Sequence, residues 1–414
     1  MKHTSTKKLP PSLSSPIIGS ASSAGPMASL LPVMTVVLIA FLVIGIALPV
    51  LPLHVHHGLG LSTFVVGLIT GSQFAASVIS RVFAGRFADT HGPKLAVVVG
   101  LLLAMLSGLL YLASLLTIPS PWVSGVILLA GRAVLGVAES YMITGAIIWG
   151  LALCGATQAG RVIAWMGMAM FTAMAAGAPI GTTLYAAHGF AGVAIATTLL
   201  PLATLAPVAW MSSVPPTRKG RVCLSAVAGS IWLPGVGAAL SSIGFGAILA
   251  FGALLASERG WSPVWLPFCA FAIALVLTSA ILGQLPDTLG GARVALVSVL
   301  VEAAGLALIW AASSKELAVF GAALVGAGYA LVYPGLGVEA IRRAPPEGRG
   351  MVMGAYTVFL DVALGFGTPA LGLIAAPGAL GAAFLASALA AVGAALVAAH
   401  FMQNRSVDMA QPAR

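Results

Sequence analysis

Apolar residues lie along this chain in long unbroken runs, and the polar residues gather between the runs. A helix that crosses a bilayer needs about 20 mostly apolar residues. Twelve runs meet that need: 30–53, 62–84, 95–116, 123–153, 160–186, 190–211, 231–256, 263–283, 294–313, 317–341, 350–375 and 378–401. Each predicts a transmembrane helix, and the longer ones have room to tilt or to extend into water. Strands of a membrane barrel would alternate polar and apolar over about ten residues, a pattern these runs do not follow. The expected fold is therefore an all-α membrane protein with twelve transmembrane helices.

The most polar interior stretch divides the runs six and six. It reads Ser212-Ser213-Val214-Pro215-Pro216-Thr217-Arg218-Lys219-Gly220-Arg221. Its two prolines stop the sixth helix, because proline lacks an N–H and clashes with the preceding turn. The expected organisation is a disordered cytoplasmic tail over 1–28, a six-helix bundle over 29–211, and a cytoplasmic linker over 212–228. A second bundle over 229–401 and a cytoplasmic tail over 402–414 follow. The Ser-, Pro- and Lys-rich start precedes an apolar run too long for a cleaved signal core, so that run is read as the first helix.

Composition agrees with lipid as the surrounding solvent. Of the 414 residues, 60% are hydrophobic and only 7% charged, too few charges to cover a water-facing surface. The net charge of +9 invites a nucleic-acid reading, but the placement of the charges gives another. With the N-terminus inside, 16 of the 19 Lys and Arg residues fall on cytoplasmic segments, Arg81, Arg86 and Lys94 among them. Only Arg259 and Lys315 fall outside, and Arg132 falls within a span. This is the positive-inside pattern of an inner-membrane protein with both termini cytoplasmic. The charge then serves topology and attraction to anionic membrane lipids, with no nucleic acid needed. Cys154, Cys223 and Cys269 stand apart and form neither a disulfide framework nor a zinc pattern.

The two halves repeat each other. Gly85-Arg86-Phe87-Ala88-Asp89-Thr90-His91-Gly92 follows the second run, and Gly283-Gln284-Leu285-Pro286-Asp287-Thr288-Leu289-Gly290 follows the eighth. Gly, Asp, Thr and Gly match in register. Gly160-Arg161 and Gly177-Ala178-Pro179 are echoed by Gly348-Arg349 and Gly367-Thr368-Pro369. Two parallel six-helix repeats, related by a pseudo-twofold axis, are what a rocking transporter requires.

The stretch from Gly85 to Lys94 resembles the loop signature of the major facilitator superfamily, G-x-x-x-D-[RK]-x-G-[RK]-[RK], with departures at Thr90 and Pro93. Together with Gly160 to Trp165, Gly177 to Gly181 and Tyr356 to Asp361, it resembles the YhhS-like branch of efflux transporters in that superfamily. The resemblance covers nearly the whole chain after residue 30 and implies the superfamily fold. It also implies a latch: Asp89 would sit against the positive end of the eleventh helix, near Gly348, when the cytoplasmic side is closed. Gly85, Arg86, Gly92, Lys94 and the repeat's Asp287 would complete this gating loop. The plainer alternative for Asp89 is a solvated carboxylate.

Ionisable groups inside spans are expensive and face a cavity or a partner. Arg132 and Glu139 lie seven residues apart on the fourth run, on roughly one face. The resemblance puts Arg132 at the helix-four arginine that drug:proton antiporters associate with proton coupling; bridging helix carbonyls is the structural alternative. Glu139 is read equally well as lining a cavity or as an interhelical hydrogen bond. Asp361 sits near the middle of the eleventh run. A charged aspartate at that depth costs about 2.5–3.5 kcal/mol on insertion scales. It must face water, meet a distant cation such as Arg132, or stay neutral, and alternation between the first and third is what a proton carrier needs. Glu302, central in the ninth run, is a further coupling candidate. That helix is peripheral in the superfamily fold, which favours an interhelically bonded acid. Glu339 precedes Arg342 and Arg343 by three and four residues, the spacing of an intrahelical ion pair.

His54, His56 and His57 cluster after the first run, but with no carboxylate or cysteine nearby they are a poor metal site. Gly177 and Gly181, with Pro179, allow close helix approach and are similar to the antiporter motif of helix five. With Gly367 and Pro369 they are assigned to packing between the halves. Trp149 and Trp165 are candidates to line a cavity formed by helices one, four, seven and ten. No G-x-x-x-x-G-K-[ST] motif is present, so energy would come from an ion gradient or from the substrate. The expected function is proton-coupled export of a small organic molecule by alternating access, from a monomer without a cofactor. Uptake or facilitated diffusion of a metabolite is the alternative. A receptor or assembly factor would not need two matching gating loops, and no enzyme constellation is visible.

Overall fold

A computed structural model describes residues 26–154, 159–216, 228–343, 349–375 and 378–410. Among these residues the regular structure is helical throughout. The first half contains α1 (Pro26–Ala47), α2 (Val50–Leu53) with a π-turn over His54–Gly58, α3 (Thr63–His91), α4 (Pro93–Leu115), α5 (Pro121–Cys154) and α6 (Ala159–Trp210). The second half contains α7 (Ala228–Glu258), α8 (Leu266–Leu282), α9 (Leu285–Leu289), α10 (Gly291–Ala311), α11 (Lys315–Arg342), α12 (Arg349–Ile374) and α13 (Gly381–Ala410).

The twelve expected spans are present, with instructive boundaries. Spans five and six run together as the 52-residue α6, but Gly189 breaks it with φ 63°, ψ −161°, at the expected gap. Span eight is the shortest, at 17 residues. Ser62 and Ser314 cap α3 and α11 by accepting from the N–H of Val65 and Leu317. The stretch expected to be a gating loop is mostly helix: α3 continues through His91, and the chain turns only at Gly92, with φ 95°. No proline interrupts 85–91, and a single interior glycine costs only about 1 kcal/mol. Gly290 repeats this turn with φ 92° before α10. The second tail is shorter than expected, because α13 runs on to Ala410. Most of the expected linker, 217–227, and the first tail up to residue 25 lie outside the described residues.

Without a hydrophobic driving force in lipid, helices associate by close packing, so small residues mark their crossings. A side chain at Gly136 of α5 would collide with the Gln73 carbonyl of α3. At Gly326 of α11 it would collide with the Phe271 carbonyl of α8. Gly177 and Gly181 pack against Gly45 and Ile46 of α1. That corrects their assignment to the interface between halves: they join two helices of the first half. Gly367 likewise faces Ile243 of α7, inside the second half. Pro369 does lie between halves, beside Gly67 and Gly71 of α3.

The halves meet along α3 and α12. Thr63 Oγ1 donates to the Gly372 carbonyl at 2.9 Å, and Thr368 Oγ1 donates to that of Gly67 at 3.0 Å. Farther along, Gly365 packs on Ala75. α6 and α8 touch where Cys269 Sγ meets the Ala175 carbonyl at 3.2 Å. These contacts seal one end of the molecule.

Candidate functional site

The sealed interface ends on an ion pair. Arg81 Nη2 of α3 lies 2.6 Å from Asp361 Oδ2 of α12, and the two side chains are 24% and 9% exposed. Arg81 also donates to Ser77 Oγ at 3.1 Å. Ser77 and Ser80 each contact Ser140 Oγ of α5 at 3.0 Å, so the pair is anchored through hydroxyls into the first half. The partner of Asp361 is thus Arg81 and not Arg132. Arg81 had been counted with the cytoplasmic charges, yet it falls inside the second apolar run, three residues before its end. That position was the available signal.

Glu139 is partly exposed on α5 and accepts from Gln73 Nε2 at 2.6 Å. Arg81, Arg132 and Asp361 all stand within electrostatic range of it. Arg132 is 1% exposed, and its Nε and Nη1 find no hydrogen-bond partner in the structure. Four formal charges, two of each sign, therefore collect in an apolar interior, where such groups are held only at functional or tightly paired positions.

The second half opposes this polar wall with rings. Phe245 stacks on Phe271 at 5.2 Å and lies 5.3 Å from Tyr329. Phe171 of the first half reaches Phe245 at 6.2 Å. Tyr333 shares a 2.7 Å hydrogen bond with Thr357 and lies within electrostatic range of both Arg81 and Asp361.

Other expected site residues fall elsewhere. Glu302 of α10 is fully buried and joins α7 through Ser241. Glu339 does more than pair with Arg342, which is 3.9 Å away: it accepts from the backbone N–H of Ala292 at 3.2 Å and so caps the start of α10. Lys94 donates to the carbonyls of Ala209 and Met211 at 2.8 and 2.7 Å, closing the C-terminal end of α6. Asp89 is half-buried, Arg86 and Asp287 are exposed, and the expected partner segment at Gly348 lies outside the described residues. His54 stacks on Phe190 at 4.1 Å, His56 bonds the Leu61 carbonyl, and His57 reaches Ser257 across the halves at 3.5 Å. Trp149 is 1% exposed, packed among helices instead of lining a cavity.

The family described as Major Facilitator Superfamily matches residues 33–268 and 234–414. An uncharacterized MFS-type transporter of Salmonella typhimurium is 43% identical over 358 residues, 86% of this chain and 92% of its own. The uncharacterized MFS-type transporter YhhS of Escherichia coli is 38% identical over 354 residues, 84% of this chain and 86% of its own. Among solved structures, the nucleoside transporter NupG (D323A mutant) superposes with a TM-score of 0.72 at 14% identity, covering 90% of this chain and 99% of that one.

Proposed function

The chain belongs to the major facilitator superfamily, and from that premise we propose that it exports a small organic molecule in exchange for protons. It is a multi-pass membrane protein and a secondary transporter, and not an enzyme. The observation that carries the finer reading is the Arg81–Asp361 pair, which bridges the halves at the far end of the α3–α12 interface, where Arg81 is 24% exposed. The charge census supports an inner-membrane orientation with both termini cytoplasmic, in which the sealed end faces outward and the end bearing the Arg81–Asp361 pair faces the cytoplasm.

In that orientation Asp361 gives up its proton to the cytoplasmic side, and the ionised carboxylate pairs with Arg81. Cargo entering from the cytoplasm competes for the pair and frees α3 from α12. The outer ends, held by Thr63–Gly372 and Thr368–Gly67, then separate by rocking of the two bundles. Asp361 takes up a proton from the outer side as the cargo leaves, and its release to the cytoplasm after the bundles rock back restores the pair, so that a proton enters as cargo leaves. Glu139, partly exposed beside Gln73, is the group best placed to compete with Asp361 for a proton or to contact the cargo. Arg132 stands within electrostatic range of Glu139, and the ring wall of Phe245, Phe271 and Tyr329 supplies apolar contact. Direction is supported by the likeness of Gly177–Gly181 to the antiporter motif.

The test is transport by everted vesicles across a panel of compounds, read against an imposed pH gradient. Uphill movement into the vesicles that collapses with the gradient is expected. Transport that ignores the gradient would refute proton exchange.

A further inference from the structure

Glu302 is left over once the central cluster is accounted for. It is 0% exposed, in the middle of α10. Its Oε2 accepts from Ser241 Oγ of α7 at 2.5 Å, while its Oε1 has no hydrogen-bond partner. Gly244 of α7 leaves the room that this oxygen occupies: a β-carbon there would stand 3.0 Å from Oε1. On the other flank Gly328 of α11 lets the helices approach closely: a β-carbon there would collide with the Ser298 carbonyl and stand 2.7 Å from the Glu302 backbone nitrogen. Helices α7, α11 and α13 all bear on α10. From α7 comes Ser241; from α11 comes Tyr329, within electrostatic range of Glu302 and with its hydroxyl 3.2 Å from Ser242 Oγ; on α13, Ala394 and Ala395 pack with Ala295 and Val299 of α10. Ser298 lies one turn before Glu302. Among the described residues none of these neighbours is a cation.

We infer that Glu302 is a second proton-binding site, buried in the second half and separate from Asp361. The chemistry favours a proton over a metal cation. Hard cations take several oxygen ligands, and a single hydroxyl contacts this carboxyl. An isolated ionised carboxylate in an apolar medium is far more costly than a neutral acid. The placement gives the site a mechanical consequence. Ser241 serves Glu302 and its neighbour Ser242 serves Tyr329, which stands in the ring wall between the halves. Movement of α7 against α10 and α11, which pack closely on each other, therefore disturbs both contacts together. The inference stands on this geometry; only the use of the proton in transport rests on the proton-exchange reading.

The experiment is infrared spectroscopy of the full chain in lipid nanodiscs, following the carbonyl band of protonated carboxylic acids. At neutral pH a band is expected that disappears in Glu302→Gln and persists in Asp361→Asn. Ser241→Ala, which keeps the acid and removes its hydrogen bond, is expected to shift the band without abolishing it. This arm keeps the test usable if Glu302→Gln does not fold. No Glu302-dependent band at neutral pH would overturn the inference, as would its loss when sodium replaces choline, since that marks a sodium site. A Glu302 band in a protein whose transport ignores pH gradients would leave the site standing and refute proton exchange alone.

Discussion

Replacing Arg81 by methionine keeps an unbranched apolar stem and deletes the guanidinium and its charge. Asp361 is then left nine-tenths shielded, with no partner at 2.6 Å. Removing one member of a fully buried pair costs about 3–5 kcal/mol, whereas exposed pairs are worth about 0–1 kcal/mol. The 24% and 9% exposures place this pair between those limits, at about 2 kcal/mol. Because the partners sit on opposite halves, that energy acts on the balance between the sealed and parted forms of the outer end. At about 1.4 kcal/mol per tenfold, the ratio should move about 30-fold toward the parted form. Spin labels at Phe64 and Leu373, both exposed near the sealed end of α3 and α12, report that separation as a distance distribution. Arg81→Met and Asp361→Asn should each enlarge the long-distance population. The double variant should add little to either, and the exchange Arg81→Asp with Asp361→Arg should recover much of the short-distance population. Strictly additive single effects, or an unchanged distribution, would refute the idea that this pair holds the halves together.

Asp361→Asn should still exchange substrate across the membrane but fail to concentrate it against a gradient; normal uphill transport with normal proton movement would hand the coupling role to Glu139. Gly71→Ala would bring a β-carbon within 2.6 Å of the Gly365 carbonyl and Thr368 Oγ1, and should part the outer end in the same spin-label assay. Gly136→Ala, forced onto the Gln73 carbonyl, should cost at least the 1–3 kcal/mol of ordinary overpacking, visible as a lower Tm. Gly85→Ala, which meets nothing within 4 Å, should be neutral or stabilising by up to about 1 kcal/mol. A cysteine at position 213 should resist impermeant reagents added outside intact cells; labelling from outside would invert the topology.

Hydropathy alone carried the helix count, because each span must be long and apolar in its own right, whatever it packs against. It also placed the break at Gly189 to within the gap between two runs. What it could not carry was partnership. Asp361 and Arg81 are 280 residues apart, and nothing local to either names the other. Arg81 was legible as an ion in a span but was absorbed into the positive-inside count, since it lies near the end of its run. Gly177 and Gly181 announced a close crossing correctly and gave no sign of which helix would fill it. The helical course of 85–91 was hidden by glycine and by a motif usually described as a loop. A glycine lowers helix propensity without forbidding a helix whose neighbours pack well.

The repeat itself locates the chemistry. Where the two halves must pack alike, their sequences agree in kind. Gly136 on Gln73 has its counterpart in Gly326 on Phe271, and Gly145 beside Pro93 in Gly335 beside Gly291. The left-handed turns at Gly92 and Gly290 correspond as well. Carrying these correspondences inward, Gln73 is equivalent to Phe271, Glu139 to Tyr329, Arg132 to Ala322 and Arg81 to Ser279. Every ionisable member of the central cluster in the first half thus has a neutral residue as its counterpart in the second, while the glycines that set the helix crossings are kept. A pseudo-twofold scaffold has no packing reason to break its symmetry at four matched positions around one centre. Stability argues against it too, since charges in a span cost free energy that a neutral counterpart evidently avoids at the same height. The asymmetry is therefore best explained by what passes between the walls. One half supplies charge and a titratable acid, the other supplies rings, and the single carboxylate of the second half that joins the cluster, Asp361, is the one that crosses to bind Arg81.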